Sequence, residues 1–138
     1  MEFRSMAELN LANWFDQKGI KYEYEKRKYS YTSNIKNGVC PKCGIPAVQN
    51  RVYTLDFWLP DYSFGLEVKG QLVSEERKKY RDVKRSNPDL DLRFLFLANN
   101  KLDKRSPERY TDWAAKYHFP ASVRAVNPEW LTNAVHTQ

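Results

Sequence analysis

Tyr53-Thr-Leu-Asp56-Phe-Trp-Leu-Pro60-Asp-Tyr-Ser-Phe64-Gly-Leu-Glu67-Val-Lys69 reads as two short strands joined by a turn. Tyr53 to Leu59 makes the first strand, Pro60-Asp61 the turn, and Phe64 to Lys69 the second. Side chains alternate across a strand, so Phe64, Leu66 and Val68 face one way while Glu67 and Lys69 share the opposite face. Asp56 points away from the apolar side formed by Tyr53, Leu55, Phe57 and Leu59. A tight turn folds the pair into a hairpin and sets Asp56 beside Glu67. Two such carboxylates repel unless they share a cation, and hard divalent cations prefer oxygen ligands. Asp56 and Glu67 are therefore candidate ligands for Mg2+ or Mn2+, with the backbone carbonyl of Val68 as a third. Lys69 would lie beside that cation, placed to orient or deprotonate an attacking water or to hold a phosphate oxygen. The D-x10-E-x-K spacing is degenerate, because a solvated strand face carries the same residues. Its position between an N-terminal helix and a basic helix favours chemistry.

Upstream, Ser5 opens a helix whose apolar positions are Met6, Leu9, Ala12 and Phe15, ending at Lys18-Gly19. Glu8, three residues after Ser5, completes a capping-box pattern, and closing the first turn is its simplest role. Residues 20–25 alternate as a half-exposed strand with Glu23 on its polar face. Residues 32–51, rich in Asn, Gly and Pro, read as a loop and as the one internal hinge.

Downstream, Ser74 caps a charged helix running to about Arg85, which Asn87-Pro88 stops. It carries Arg77, Lys78, Lys79, Arg81, Lys84 and Arg85, which form either a solubilising face or a phosphate-contacting one. Lys101, Lys104 and Arg105 extend the same track, and Arg4 is a further candidate phosphate contact. Leu92 to Ala98 reads as a strand buried on both faces. Ser106-Pro107 and Asn127-Pro128 each open a further helix. The element pattern predicts an α/β fold, a mixed sheet packed by helices, in a single domain spanning residues 1–138.

Composition narrows the class. The 138 residues carry 23 Lys and Arg against 17 acids, a net charge of +6, which suits an anionic partner. Mean hydropathy of −0.78 and the lack of a long apolar run exclude an integral membrane protein. The N-terminus lacks the pattern of a signal peptide, so an intracellular protein is expected. Aromatic residues at 14% give enough ring surface for a core. The two cysteines, Cys40 and Cys43, form one C-x-x-C, half of a zinc knuckle. Two such pairs meeting across a dimer axis would complete a four-thiolate Zn2+ site. A reduced pair, a labile disulfide and a decayed knuckle are the alternatives. His118 and His136 read as ordinary surface residues.

With these residues assembled, the chain resembles the phage endonuclease I family of enzymes that resolve four-way DNA junctions. The resemblance runs through F-R-S-x-x-E at Phe3 to Glu8, K-G-I-K-Y-E-Y-E at Lys18 to Glu25, and E-V-K-G at Glu67 to Gly70. It continues through E-E-R-K-K at Glu75 to Lys79, N-P-D-L-D-L-R at Asn87 to Arg93, and P-E-W at Pro128 to Trp130. Y-T-x-D-F-x-L-P at Tyr53 to Pro60 belongs to it too, with Leu55 in place of the proline that usually precedes the aspartate. The resemblance implies a PD-(D/E)xK nuclease fold in an intertwined, domain-swapped homodimer that resolves four-way (Holliday) junctions and other branched DNA by metal-dependent phosphodiester hydrolysis. It implies catalytic roles for Glu8, Glu23, Asp56, Glu67 and Lys69, with Glu8 reaching the partner subunit's site and joining the metal ligands. Residues 32–51 fall on the family's bridge between dimer halves and are longer here than expected. The cytoplasm of a host bacterium is the implied location. A nuclease of linear duplex and a non-catalytic junction-binding protein are the alternatives.

Overall fold

The computed structural model of the chain describes residues 2–39 and 46–132. Helix α1 (Met6–Lys18) starts where the Ser5 hydroxyl accepts the Glu8 N–H at 3.2 Å. It ends at Gly19, whose φ of 69° places it in the left-handed region that glycine tolerates. The buried face is Glu8, Leu11, Ala12 and Phe15, not the expected Met6, Leu9, Ala12 and Phe15. Met6 is 69% exposed. Ala12 and Phe15 are buried as expected, but an acid occupies one of the inward positions, so apolar spacing alone misplaces the first half of the face.

Strands β1 (Glu23–Tyr24), β2 (Lys28–Val39), β3 (Pro46–Thr54), β4 (Phe57–Leu59) and β5 (Phe64–Lys69) follow. Then come α2 (Ser74–Ser86), β6 (Leu92–Phe96), α3 (Tyr110–Lys116), β7 (Ala121–Val123) and a 3-10 turn at Pro128–Leu131. The main sheet has the order β1-β4-β5-β6-β7, antiparallel through β5 and parallel beyond it. Alternation along β5 and β6 feeds two cores. Phe64, Leu66 and Leu95 pack with α1, while Leu92, Phe94 and Phe96 pack with Tyr80 and Val83 of α2 and Trp113 of α3. The mixed α/β architecture expected from the sequence is present, and β6 is flanked by parallel strands on both sides.

Four local expectations are corrected. Residues 32–39 and 46–51 belong to a two-stranded antiparallel ribbon, not a loop, with Lys28 opposite Thr54 and Val39 opposite Pro46. A ribbon satisfies its backbone through its own ladder, so it forms without apolar alternation, and only Tyr31 and Tyr53 of its described side chains are buried. The ribbon lies along α2, where Arg85 donates to the Thr32 carbonyl at 2.7 Å and Asn87 to that of Ser30 at 2.9 Å. Second, Tyr53 to Leu59 is not one strand but two, broken at Leu55 and Asp56. Third, Ser74 is the first residue of α2, with Val73 at the cap. Fourth, Ser106-Pro107 forms a turn, and α3 begins at Tyr110 with Arg109 at its cap. Strand β7, with its three half-buried residues, was too short and too weakly patterned to be expected. Cys40, Cys43 and His136 lie outside the described residues.

Candidate active site

Asp56 sits where the chain leaves the ribbon and enters the main sheet. Leu55 packs in the core beneath α2, Phe57 in the core beneath α1, and Asp56 is the residue between them. Its backbone is fixed from the far side: Glu25 N–H donates to the Asp56 carbonyl at 2.9 Å, and Leu55 N–H to that of Arg27 at 3.0 Å. Glu25 adopts φ 51°, strained for a non-glycine residue, at the point where β1 gives way to β2. The pairing of Phe57 with Leu66 and Leu59 with Phe64 then brings Asp56 alongside Glu67 and Val68. The Val68 N–H donates to Asp56 Oδ2 at 3.0 Å. In a strand the N–H and C=O of one residue point to the same edge, so the Val68 carbonyl also faces the edge beyond the end of β4.

Both acids are buried, Asp56 at 5% exposure and Glu67 at 6%. Burial first, and the neighbouring Glu67 charge second, push the Asp56 carboxyl from 3.8 up to about 9. Glu67 is likewise raised by burial, opposed by the Tyr53 and Tyr80 hydroxyls and by Lys69 and Lys79. Without a cation this pair keeps a proton at neutral pH. Carboxylates forced together in this way fit a divalent cation, which would let both ionise. Among the described residues no cluster of three His, Cys, Asp or Glu side chains is close enough to hold a metal by itself. A cation held here would draw on the acid pair, with backbone oxygen and water completing its shell.

Lys69 shares the face of Glu67, and its Nζ is taken by the Glu76 carboxylate of α2. Glu67 accepts from the Tyr53 hydroxyl at Oε1 and from the Tyr80 hydroxyl at Oε2, the latter at 3.1 Å. Tyr53, Tyr80 and Glu76 were not anticipated as site residues. The signal was present for one of them: Tyr80 is the sole aromatic on a helix of charged residues and so must face the sheet.

Glu8 is buried, accepting from Tyr24 Oη at 2.7 Å and from the Arg4 N–H at 3.1 Å. Its carboxylate thus serves the residue before the cap, giving half of the expected capping box, and its charge is among those that raise Asp56. Glu23 is instead bound to Arg27 at 2.9 Å, whose guanidinium stacks 4.3 Å from the Trp58 ring centre. Arg4 pairs with Glu25 at 3.1 Å at the rim.

The basic residues of α2 divide by what they touch. Arg77 donates to the carbonyls of Leu72 and Leu102, Lys84 to those of Pro88 and Leu90, and Arg85 to Asp82 and Thr32. Lys78 bonds Ser33 and Asp82, and Arg81 reaches the Tyr117 ring. Lys79 lies 4.8 Å above Tyr80, in the wall of a cleft of about 500 Å³ between α2 and the ribbon that Arg51 and Glu76 also line. Lys101, Lys104 and Arg105 are exposed on the loop before α3. No helix of the described residues is long and apolar enough to cross a membrane.

The family model for phage endonuclease I matches residues 1–138. The chain is 35% identical over 130 residues to Endonuclease I of Escherichia phage T7, covering 94% of this chain and 78% of that protein. It is 34% identical over 116 residues to Endodeoxyribonuclease 1 of Enterobacteria phage T3, covering 83% of this chain and 67% of that one.

Proposed function

This chain belongs to the phage endonuclease I family, and on that premise we propose that it is a metal-dependent endodeoxyribonuclease that resolves four-way and other branched DNA. The observation that carries the reading is the buried pair of Asp56, just before β4, and Glu67 on β5, with Lys69 on the same face as Glu67; a PD-(D/E)xK nuclease site is the reading it supports. The relatives are named as nucleases, which fits hydrolysis of a phosphodiester.

Asp56, Glu67 and the Val68 carbonyl would hold Mg2+ or Mn2+, which when bound supplies Lewis acidity and offsets charge on the pentacovalent transition state. Lys69 orients the attacking water or holds a non-bridging phosphate oxygen. Glu76 keeps the lysine ammonium directed along the strand face until phosphate arrives to share it. Glu8, whose charge already acts on Asp56 within one chain, and Glu23 would assist a second cation or the attacking water; in an intertwined homodimer Glu8 would serve the partner subunit's site. Lys78, Lys79, Arg81, Lys101, Lys104 and Arg105 carry the phosphate track, together with Arg4 once DNA displaces Glu25. Arg77, Lys84 and Arg85 contribute charge to this face while bracing α2. Zn2+ shared by the Cys40 and Cys43 pairs of two subunits is the second metal proposed. Val39 opposite Pro46 closes the ribbon next to that segment. A metal assay finding less than about a tenth of a zinc per chain would reject it. The protein acts in the host cell.

The test is cleavage of a synthetic four-way junction in Mg2+, beside the same arms as linear duplex, and again in EDTA. Metal-dependent paired nicks confined to the junction are expected. Equal cutting of the linear duplex would remove the selectivity, and tight junction binding without cutting would remove the enzyme.

A further inference from the structure

Both oxygens of Glu67 are claimed by phenol hydroxyls, Oε1 by Tyr53 and Oε2 by Tyr80, and all three side chains are buried. Neutral donors at both ends fix the plane of a carboxylate without cancelling its charge, and each oxygen keeps a lone pair for a cation. The two tyrosines come from different elements, β3 and α2, and their rings brace each other edge to face at 5.9 Å and 89°. Phe94 packs edge-on against Tyr80 at 4.9 Å, so neither ring can swing to a solvent-facing rotamer without opening the core. One turn before Tyr80 on the same helix face, Glu76 takes Lys69. A single face of α2 therefore addresses the two β5 side chains assigned to chemistry.

We propose that Tyr53 and Tyr80 are positioning residues that hold Glu67 in the orientation required of a cation ligand. The proposal rests on the reading of Asp56 and Glu67 as metal ligands. A buried acid needs a donor on each oxygen merely to be tolerated, but water or mobile side chains would meet that need. Two donors on opposite oxygens from separately anchored rings fix orientation as well.

The experiment measures Mn2+ binding to the full chain without DNA, by calorimetry or by the spin signal of free Mn2+. The variants are Tyr53→Phe, Tyr80→Phe, the double variant, Val83→Ala and Asp56→Ala. Each Phe variant keeps the ring and removes one hydroxyl. The dissociation constant should rise about tenfold for each and about a hundredfold for the pair. Val83→Ala, which loosens α2 against the sheet without touching the acids, should leave it within about twofold. In a Glu67→Gln background the Phe substitutions should add nothing. If the double variant does not fold, the single variants decide the matter on the same criterion. Unchanged or tighter Mn2+ binding by folded Phe variants would overturn the proposal while wild type and Asp56→Ala still differ. An equal loss in Val83→Ala would overturn it too. Wild-type protein that binds no Mn2+ would instead remove the cation reading of the acid pair, and the proposal with it.

Discussion

In metal-free protein the buried Asp56 carboxyl should make the fold less stable as pH rises. Its pKa stands at about 9 against 3.8 for the free group, chiefly through burial and next through Glu67. In the unfolded chain the same group gives up its proton near pH 4. Between those values the native state holds the extra proton, so the stability it contributes is full below about pH 4 and is lost as pH rises toward 9. From pH 5 to pH 8, one proton at about 1.4 kcal/mol per unit sets a ceiling of about 4 kcal/mol. Local opening of the acid pair to water relieves part of that, and a loss of about 2 kcal/mol is expected, out of the ~5–15 kcal/mol typical of a domain. Asp56→Asn keeps an acceptor for the Val68 N–H and removes the ionisation. Urea denaturation in EDTA at pH 5, 6.5 and 8 reads the difference. The wild-type midpoint should fall across the series at constant m-value, and the variant should fall by less than half as much. At pH 8 the variant should be the more stable by about 2 kcal/mol, and millimolar Mg2+ should raise wild type alone. A wild-type midpoint that is flat from pH 5 to pH 8, or two parallel slopes, would refute the assignment of the proton to this pair.

Lys69→Met should lower junction cleavage at least a hundredfold, on the scale of a lost proton-handling group, while gel-shift affinity for the junction changes less than about threefold. Gly65→Ala should cost about 1–3 kcal/mol in urea denaturation, because an added Cβ would lie 2.7 Å from Leu55 Cδ2; Leu55→Val in the same chain should recover part of it. Arg77→Ala should destabilise by about 1–2 kcal/mol through its lost bonds to Leu72 and Leu102, with the salt dependence of DNA binding unchanged. Replacing Lys104 and Arg105 with alanine should do the reverse, leaving the melting midpoint alone and flattening the log-log salt slope by about two.

How far the sequence carried depends on whether burial and chemistry share a residue. The β4–β5 hairpin was legible because Pro60-Asp61 is a turn and Phe64, Leu66 and Val68 alternate, and the short turn alone brings Asp56 into the neighbourhood of Glu67; the register is seen only in the structure. Along α2 the charge pattern located the helix, but not that Arg77, Lys84 and Arg85 spend their donors on backbone carbonyls or on Asp82. Such contacts depend on where loops and the ribbon come to lie, which no local spacing encodes. The face of α1 was misjudged because Glu8 is buried, and an inward acid is invisible to a rule that looks for apolar residues. Tyr53 and Tyr80 were missed for the opposite reason: an aromatic satisfies the core pattern whether or not its hydroxyl has a task.

The crossing at Asp56 also sets where this chain tolerates a change of length. The ribbon's continuous rungs run from Lys28 and Thr54 to Asn34 and Val48, and Tyr53 keeps its phase as long as they are kept. A single residue gained between Thr54 and Phe57 would reverse every side chain on one side of the aspartate, turning either Leu55 or Phe57 out of its core. A change of length should therefore be tolerated least at this crossing, because one residue there links the two cores.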